Sequence, residues 1–342
     1  MRTRACSPLF RGAFVQAVLV LLFTAMAAAA DVTPGSIVRL DLRFDALVPP
    51  EVKVEKLADG FTWVEGPAWD RRGGYLLFTD IPNNAVLRWK LGEGVSEFLK
   101  PSGYTGTTPF TGREPGANGL TFDAQGRLVL AEHGDRRIAR LEADGSKTTL
   151  ASHYHGKRLN SPNDVVFKSN GDLYFTDPPF GLPHTFDDPA KELPHQGVYR
   201  LKPGGEPELL VADIKAPNGI AFSPDERTLY LTDVDPQRPA WLAYDVRDDG
   251  TLGRGRVLVD AKPWVTPGSG APDGLKVDRH GNLWGAGPNG VHVFAADGTH
   301  LGSVLLGVPT GNLAWGEDGG TLFITADKAL YRLRTGTRGA RY

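Results

Sequence analysis

The sequence predicts an all-β fold, a six-bladed β-propeller of four-stranded antiparallel blades. One pattern recurs along the chain: a polar residue, a short apolar strand, a turn, and a second apolar strand. Its copies open at Glu65, Asn118, Asn163, Asn218, Asp273 and Gly311. The spacings between these residues are 53, 45, 55, 55 and 38. Repeats of about 40–50 residues with several strands each are typical of propeller blades.

The strands of each repeat can be recognised in order. Second strands are short, rich in β-branched and aromatic residues, and bounded by Gly or Asp, as in residues 75–79 and 172–176. Third strands follow, as in residues 197–201 and 329–333. Fourth strands are poorly marked, and we expect residues 35–60 to supply one of them and close the ring. No segment after the first 30 residues sustains a 3.6-residue period, so helices are not expected.

The residues that open the repeats should converge. The innermost strand of every propeller blade lines the central channel, and equivalent strand starts meet at one mouth of it. The set contains two carboxylates, Glu65 and Asp273, and three carboxamides, while Gly311 is expected to contribute nothing. Calcium takes six to eight oxygen ligands and suits this set, whereas zinc would prefer His or Cys. We call these six opening residues the rim.

A turn is the alternative explanation for this pattern. Asn-Gly is a common hairpin dipeptide, and a single copy would usually be a turn. Five aligned oxygen-bearing positions weaken that explanation, and it does not account for Glu65 before Gly66-Pro67.

Several motifs resemble a known family. They are Glu65-Gly-Pro67, Ser161-Pro-Asn-Asp164, Thr176-Asp-Pro-Pro-Phe-Gly181, Pro217-Asn-Gly219 and Pro272-Asp-Gly274. Over about residues 52–335 the chain resembles the senescence-marker-protein/gluconolactonase/luciferin-regenerating family. Its members are six-bladed calcium-dependent propellers that include regucalcin and bacterial sugar lactonases. Diisopropyl-fluorophosphatase shares the Glu, Asn, Asn, Asp pattern, so the pattern specifies scaffold and metal better than substrate.

The resemblance implies roles for the rim. The metal ligands would be Glu65, Asn163, Asn218 and Asp273. Asn118 would be a substrate-side or water-mediated contact. Asp164, next to Asn163, is expected to hold the amide of that ligand rather than to react, and we group it with the substrate-binding residues.

An open calcium site suits ester hydrolysis, because the cation polarises a carbonyl and stabilises the oxyanion that forms on attack. Asp273 is the first candidate for the general base and His133 the second, although His133 could instead only hydrogen-bond within the rim. A serine mechanism is disfavoured, since no Gly-x-Ser-x-Gly elbow occurs. Substrate recognition should come from the polar loops above the rim, residues 100–117, 153–162, 179–196 and 262–272, with Arg158 as a donor to a hydroxyl or carboxylate.

The N-terminus predicts secretion. Three arginines precede an apolar run that ends in Ala27-Ala-Ala-Ala30, which is typical of a secretory signal peptide over residues 1–30, with the propeller at 31–342. A membrane anchor is the alternative, but the apolar run is short for a spanning helix. The single cysteine, Cys6, lies in this segment, so disulfides are not expected.

The charge composition argues against a nucleic-acid partner. The net charge is −2 and no basic run marks a nucleic-acid surface. We therefore expect a periplasmic or secreted calcium-dependent lactonase that opens sugar lactones such as gluconolactone, with no stable membrane association after cleavage. The rival functions are a hydrolase of organophosphates, aryl esters or non-sugar lactones on the same scaffold, and a non-catalytic propeller that uses calcium only to hold the blades together.

Overall fold

The structure is a computed structural model that describes Met1 and residues 34–340. The predicted signal peptide, residues 1–30, lies outside the described residues apart from Met1. Within residues 34–340 the chain forms six antiparallel sheets arranged as propeller blades and almost no helix, which confirms the predicted all-β fold. No helix in this part of the chain is both long and apolar enough to span a bilayer.

The strands follow the repeats closely. The first elements are β1 (Ser36–Arg39), helix α1 (Arg43–Leu47) and β2 (Val54–Asp59). Blade one contains β3–β6 (Val64–Asp70, Tyr75–Asp80, Ala85–Lys90, Gly94–Leu99). Blade two contains β7–β10 (Ala117–Phe122, Leu128–Glu132, Arg137–Leu141, Lys147–Ala151). A small hairpin follows, formed by β11 (His153–Tyr154) and β12 (Lys157–Arg158). Blade three contains β13–β16 (Val165–Phe167, Leu173–Asp177, Gly197–Leu201, Pro207–Val211).

The second half repeats this order. A 3₁₀ turn, Thr185–Asp187, interrupts blade three. Blade four contains β17–β20 (Pro217–Phe222, Thr228–Asp233, Ala240–Asp245, Arg256–Asp260). Blade five contains β21–β24 (Leu275–Val277, Leu283–Gly287, Gly290–Phe294, His300–Leu305). Blade six contains β25–β27 (Thr310–Gly316, Thr321–Ala326, Ala329–Arg334). The first strand of each blade contacts the first strands of its neighbours, so these strands are innermost.

The ring is closed by the N-terminal segment. Strand β2 pairs antiparallel with β27, where Val54 lies opposite Leu333, and becomes the fourth strand of blade six. The expectation that residues 35–60 supply a closing strand is confirmed. Strand β1 pairs with β24 and adds a fifth strand to blade five, which the sequence did not indicate. Both pairings join the start of the described chain to its last two blades.

Aromatic side chains fill the spaces between blades. Trp69 of blade one stacks on Phe323 of blade six with their ring centroids 5.3 Å apart. Tyr174 of blade three meets Phe222 of blade four edge-on at 4.9 Å. Burying such rings contributes about 1.5–3 kcal/mol each relative to exposure, so inter-blade packing is a main source of stability.

Candidate active site

The starts of the innermost strands are joined around the channel by hydrogen bonds between neighbouring blades. Four joints contain a hydrogen bond to a rim carbonyl oxygen: Gly119 N–H to Asn163, Thr176 Oγ1–H to Asn218 and Gly274 N–H to Gly311, each 2.7 Å long, and Thr79 Oγ1–H to Asn118 at 3.1 Å. These bonds link blades two to three, three to four, five to six, and one to two. The rim residues of successive blades are therefore neighbours in space, although they are 38 to 55 residues apart in sequence.

Close approaches at glycine occur between blades one and two, four and five, and six and one. A Cβ atom would lie 1.9 Å from the Asn118 carbonyl oxygen if placed on Gly66, 2.3 Å from the Asp273 carbonyl oxygen on Gly219, and 2.3 Å from Glu65 Oε1 on Gly311. No side chain fits at such distances, so glycine is required where the blades approach. Asn118-Gly119 and Asn218-Gly219 lie inside β7 and β17. The hairpin-turn explanation of these dipeptides is therefore wrong.

Two carboxylates of the rim influence each other. Glu65 is 2% exposed, and its burial raises its pKa to about 8, with the negative charges of Asp164 and Glu114 acting in the same direction. Burial among protein atoms also raises the pKa of Asp273, and the charges of Glu65, Asp164 and Glu114 add to the shift. Asp273 nevertheless keeps part of its surface accessible to solvent, unlike Glu65. Negative charge is thus concentrated at this mouth.

The donor set fits a hard cation. Within residues 34–340, no Lys or Arg forms an ion pair with Glu65 or Asp273. Buried carboxylates without a counter-charge are costly, and a divalent cation would offset that cost. The described residues contain no group of three or more His, Cys, Asp or Glu side chains able to hold a metal ion. The predicted set has only two such residues, because its other two oxygen donors are amides.

His133 is tied to the rim from both sides. Its imidazole is fully buried, and Nε2 lies 3.5 Å from Asn163 Nδ2. Nδ1 lies 2.9 Å from Glu114 Oε2, an ion-pair distance without the angle of a regular hydrogen bond. A carboxylate beside Nδ1 favours the tautomer with hydrogen there, so that Nε2 accepts from Asn163. This leaves Asn163 Oδ1 as the amide atom available to a ligand.

Glu114 was not predicted from the sequence. It lies in the 100–117 loop, four residues before Asn118, and its charge raises the pKa of both Glu65 and Asp273. The sequence identified this loop only as a place for substrate recognition. A lone acidic residue in a loop of Gly, Thr and Pro offers no periodic signal, so its position beside His133 follows from the fold.

Asn312 was also missed, because blade six was expected to contribute nothing. The dipeptide there reads Gly311-Asn312, the reverse of Asn-Gly in blades two and four. Asn312 pairs with Thr325 within β25 and β26 and occupies the place held by the glycine after the rim residue in blades one, two, four and five, and by Asp164 in blade three. The reversed order was visible in the sequence and is the signal that could have identified it.

The Asn312 amide crosses the channel. Its Oδ1 accepts from the Leu313 N–H at 2.8 Å and from Lys276 Nζ at 3.2 Å, which directs its NH₂ group the other way. Nδ2 donates to Asp164 Oδ2 at 3.4 Å, and a hydrogen bond from Asn312 to Glu65 lowers the pKa of that acid in opposition to burial. Asn312 therefore connects blades one, three, five and six directly below the rim.

The remaining predicted residues lie in different surroundings. Asn118 and Asn218 are buried on the ring itself. Asp164 Oδ1 accepts from the Val165 N–H at 2.8 Å, and its other oxygen faces Asn312. Arg158 lies on β12, outside the ring, where Nη2 donates to the Asp135 carbonyl at 2.9 Å. The structure therefore brings five predicted side chains to the ring, with Asp164 and His133 against them, and leaves Arg158 in the adjoining hairpin.

Residues 63–328 match the SMP-30/Gluconolactonase/LRE-like region. The chain belongs to this family. A curated relative, the gluconolactonase of Zymomonas mobilis, is 39% identical over 314 residues, covering 90% of this chain and 88% of the relative. The solved structure of a gluconolactonase from Xanthomonas campestris has a TM-score of 0.76 and 35% identity, covering 90% of this chain and 98% of that one.

A more distant family structure shows how widely the scaffold is kept. Regucalcin from Agrobacterium tumefaciens, described as a calcium-binding protein, has a TM-score of 0.65 at 20% identity, covering 91% of this chain and 97% of that one. At that identity the likeness supports the fold alone. The SMP-30/gluconolactonase family assignment confirms the resemblance seen in the sequence motifs.

Proposed function

We propose that this chain is a calcium-dependent hydrolase that opens sugar lactones of the gluconolactone type to aldonic acids. The observation that carries the proposal is the pair of rim carboxylates, Glu65 and Asp273, which lie among amide oxygens with no basic partner in the described chain. Two gluconolactonases, each at least 35% identical and matched over most of its length, support lactone hydrolysis by this chain.

The cation would be held by Glu65, Asn163, Asn218 and Asp273. Two carboxylates balance a divalent charge, and four protein oxygens leave further coordination positions for water or substrate. When bound, the cation would polarise the lactone carbonyl and stabilise the developing oxyanion. Glu114 and Asp164 add negative charge nearby and favour a cation at the same place.

Asp273 is the better-placed proton acceptor. The His133 imidazole is fully buried and is engaged by Asn163 and Glu114, whereas Asp273 retains solvent-accessible surface. In the proposed reaction a water oxygen attacks the lactone carbonyl carbon while Asp273 takes its proton. The ring carbon–oxygen bond then breaks, and the same proton passes to the leaving alkoxide, giving the free hydroxyl and the carboxylic acid. His133 holds the Asn163 amide in the orientation that exposes Oδ1.

A lactone and ester panel tests the proposal. Hydrolysis of gluconolactone should exceed that of phenyl acetate and paraoxon by at least about tenfold in kcat/KM, a transition-state preference of roughly 1.4 kcal/mol. Chelation should abolish turnover, and calcium should restore it better than zinc. Higher activity on the phosphate triester would overturn the lactone assignment, and full activity in a demonstrably metal-free sample would overturn the cation assignment.

We also propose that the protein is periplasmic or secreted after removal of residues 1–30. The support is the order of charged, apolar and small residues in this segment. N-terminal sequencing of the active protein should read Asp31-Val-Thr-Pro34. A sequence beginning at Met1 or Arg2 would reject cleavage.

A further inference from the structure

A large cavity lies at the end of the channel away from the rim, and we call it the far mouth. Its volume is about 1090 Å³. The innermost strands contribute residues two to five positions after the rim residues, among them Pro67, Leu120, Val165, Ile220, Lys276 and Ala314. At about 3.3 Å per strand residue, these walls lie roughly 7–16 Å along the strands from the rim. The far mouth is therefore separate from the proposed active site.

The far mouth is basic in a chain whose net charge is −2. Seven of its lining residues are Lys or Arg and two are Asp. Three of the basic side chains form no ion pair with a carboxylate anywhere in residues 34–340: Arg72, Lys202 and Lys276. Unpaired positive charge around a cavity raises the local concentration of anions.

Lys276 is the basic residue of the far mouth that reaches towards the rim. It is partly buried, and Nζ donates to the Leu275 carbonyl at 3.0 Å and to Asn312 Oδ1 at 3.2 Å. An ammonium group has three donor hydrogens, so one is left after these two neutral acceptors. A partly buried ammonium held only by neutral oxygens would gain from a bound anion, because charge-assisted hydrogen bonds are stronger than neutral ones.

The walls around this charge are largely apolar. Phe122, Phe222 and Trp315 line the cavity together with aliphatic side chains from the innermost strands. Such walls favour a ligand with a hydrocarbon or aromatic body over a polyhydroxylated sugar acid. The two requirements, an anionic group and an apolar body, describe an amphipathic organic acid.

We propose that the far mouth binds an amphipathic organic carboxylate. The carboxylate meets Lys276, Arg72 lies at the entrance as a second positive charge, and the apolar body packs on Phe122, Phe222 and Trp315. This site does not depend on the lactonase assignment, since its walls and charges lie at the other end of the channel.

Calorimetry with 4-phenylbutyrate on the full-length mature protein, saturated with calcium, tests the site. The neutral analogue 4-phenylbutanol should bind at least about tenfold more weakly, the effect of losing roughly 1.4 kcal/mol of charge-assisted hydrogen bonding. Lys276→Met should weaken phenylbutyrate binding by a similar factor. The exposed Arg72→Met should weaken it several-fold and leave lactone turnover unchanged. Lys53→Met, an exposed lysine outside the cavity, is the matched control and should bind normally.

Three results would overturn the proposal. The first is no binding heat from the unmodified protein up to about 10 mM phenylbutyrate, a weaker affinity than roughly −3 kcal/mol. The second is phenylbutyrate binding by both Lys276→Met and Arg72→Met that is as tight as binding by the unmodified protein, with both variants folded as judged by circular dichroism. The third is displacement of phenylbutyrate by gluconolactone, which would place the probe at the rim.

Discussion

The two ends of the central channel carry opposite charge although the same innermost strands build both. At the rim, burial raises the pKa of Glu65 and of Asp273, nearby carboxylates add to both shifts, and neither acid has a basic partner among the described residues. The far mouth is lined by the far ends of these strands and by the turns and outer strands beyond them, and it gathers seven basic side chains against two acidic ones. Of the seven, only Lys276 lies on an innermost strand, so the positive charge comes mainly from residues outside the strands that carry the rim.

Lys276 and Asn312 lie at the boundary between these ends. The ammonium of Lys276 donates to Asn312 Oδ1, and the amide of Asn312 also forms hydrogen bonds with Asp164 and Glu65. A neutral amide therefore stands between the positive and the negative end. This arrangement keeps the lysine from neutralising the rim, which preserves the demand for a cation there.

The strongest test of the division is a pair of substitutions at opposite ends. Asp273→Asn should lower lactone kcat/KM by at least about 10³-fold, because it removes both a charged ligand and the proposed proton acceptor. Arg72→Met at the far mouth should retain full activity. Steady-state kinetics with gluconolactone measures both. Comparable losses in the two variants would show that catalysis is not confined to the rim.

Asp177 shows the effect of burial without neighbouring rim carboxylates, because it is a buried acid on β14 rather than on the rim. Burial raises its pKa to about 7. The folded state then binds more protons than the unfolded state between pH 4 and 7, so stability is lost as pH rises through 7. Asp177→Asn avoids that charge. Its free energy of unfolding relative to that of the parent protein should therefore rise by up to about 4 kcal/mol from pH 4.5 to pH 8.

Urea unfolding of both proteins at the two pH values measures this difference. The exposed Asp144→Asn is the control, because the pKa of Asp144 is lowered by hydrogen bonds from Ser146. If the stability difference between Asp177→Asn and the parent protein were the same at both pH values, the pKa of Asp177 would not be raised in the folded state.

Asn312→Ala tests the boundary itself. Loss of the amide removes the hydrogen bond to Glu65 and the contacts with Asp164 and Lys276, and we expect kcat to fall by roughly 10- to 100-fold, as when residues behind metal ligands are changed. Calcium affinity measured by calorimetry should fall with it. A fall in thermal stability with unchanged kcat and calcium affinity would assign Asn312 a purely structural role.

The smallest expected effect distinguishes a substrate contact from a metal ligand within the rim. Asn118→Ala should keep calcium and raise KM about three- to tenfold with little change in kcat, because a substrate contact made equally in ground and transition states affects binding alone. Glu65→Ala should lose calcium. Equal loss of calcium in the two variants would show that Asn118 is a ligand.

Local patterns made the fold predictable, because each blade repeats a short alternation of strand and turn that any window of the chain reveals. The oxygen-only chemistry of the residues that open the blades, from Glu65 to Asp273, could also be read directly from the residue types. Even the closing strand was foreseen within residues 35–60, although the weakly patterned fourth strands gave no register for it. Strand β1 was not foreseen, because four strands already complete blade five and the repeat gives no reason to expect a fifth.

The contacts between side chains across the channel depend on how the blades assemble. Asn312 and Asp164 are 148 residues apart and belong to blades three positions apart in the ring, so no local pattern couples them. Glu114 comes to His133 through a loop whose path depends on the blades beneath it. The sequence specifies the type of each side chain. Whether the charges of these side chains cancel or reinforce one another depends on distances between blades, which are set only when all six blades have closed into a ring.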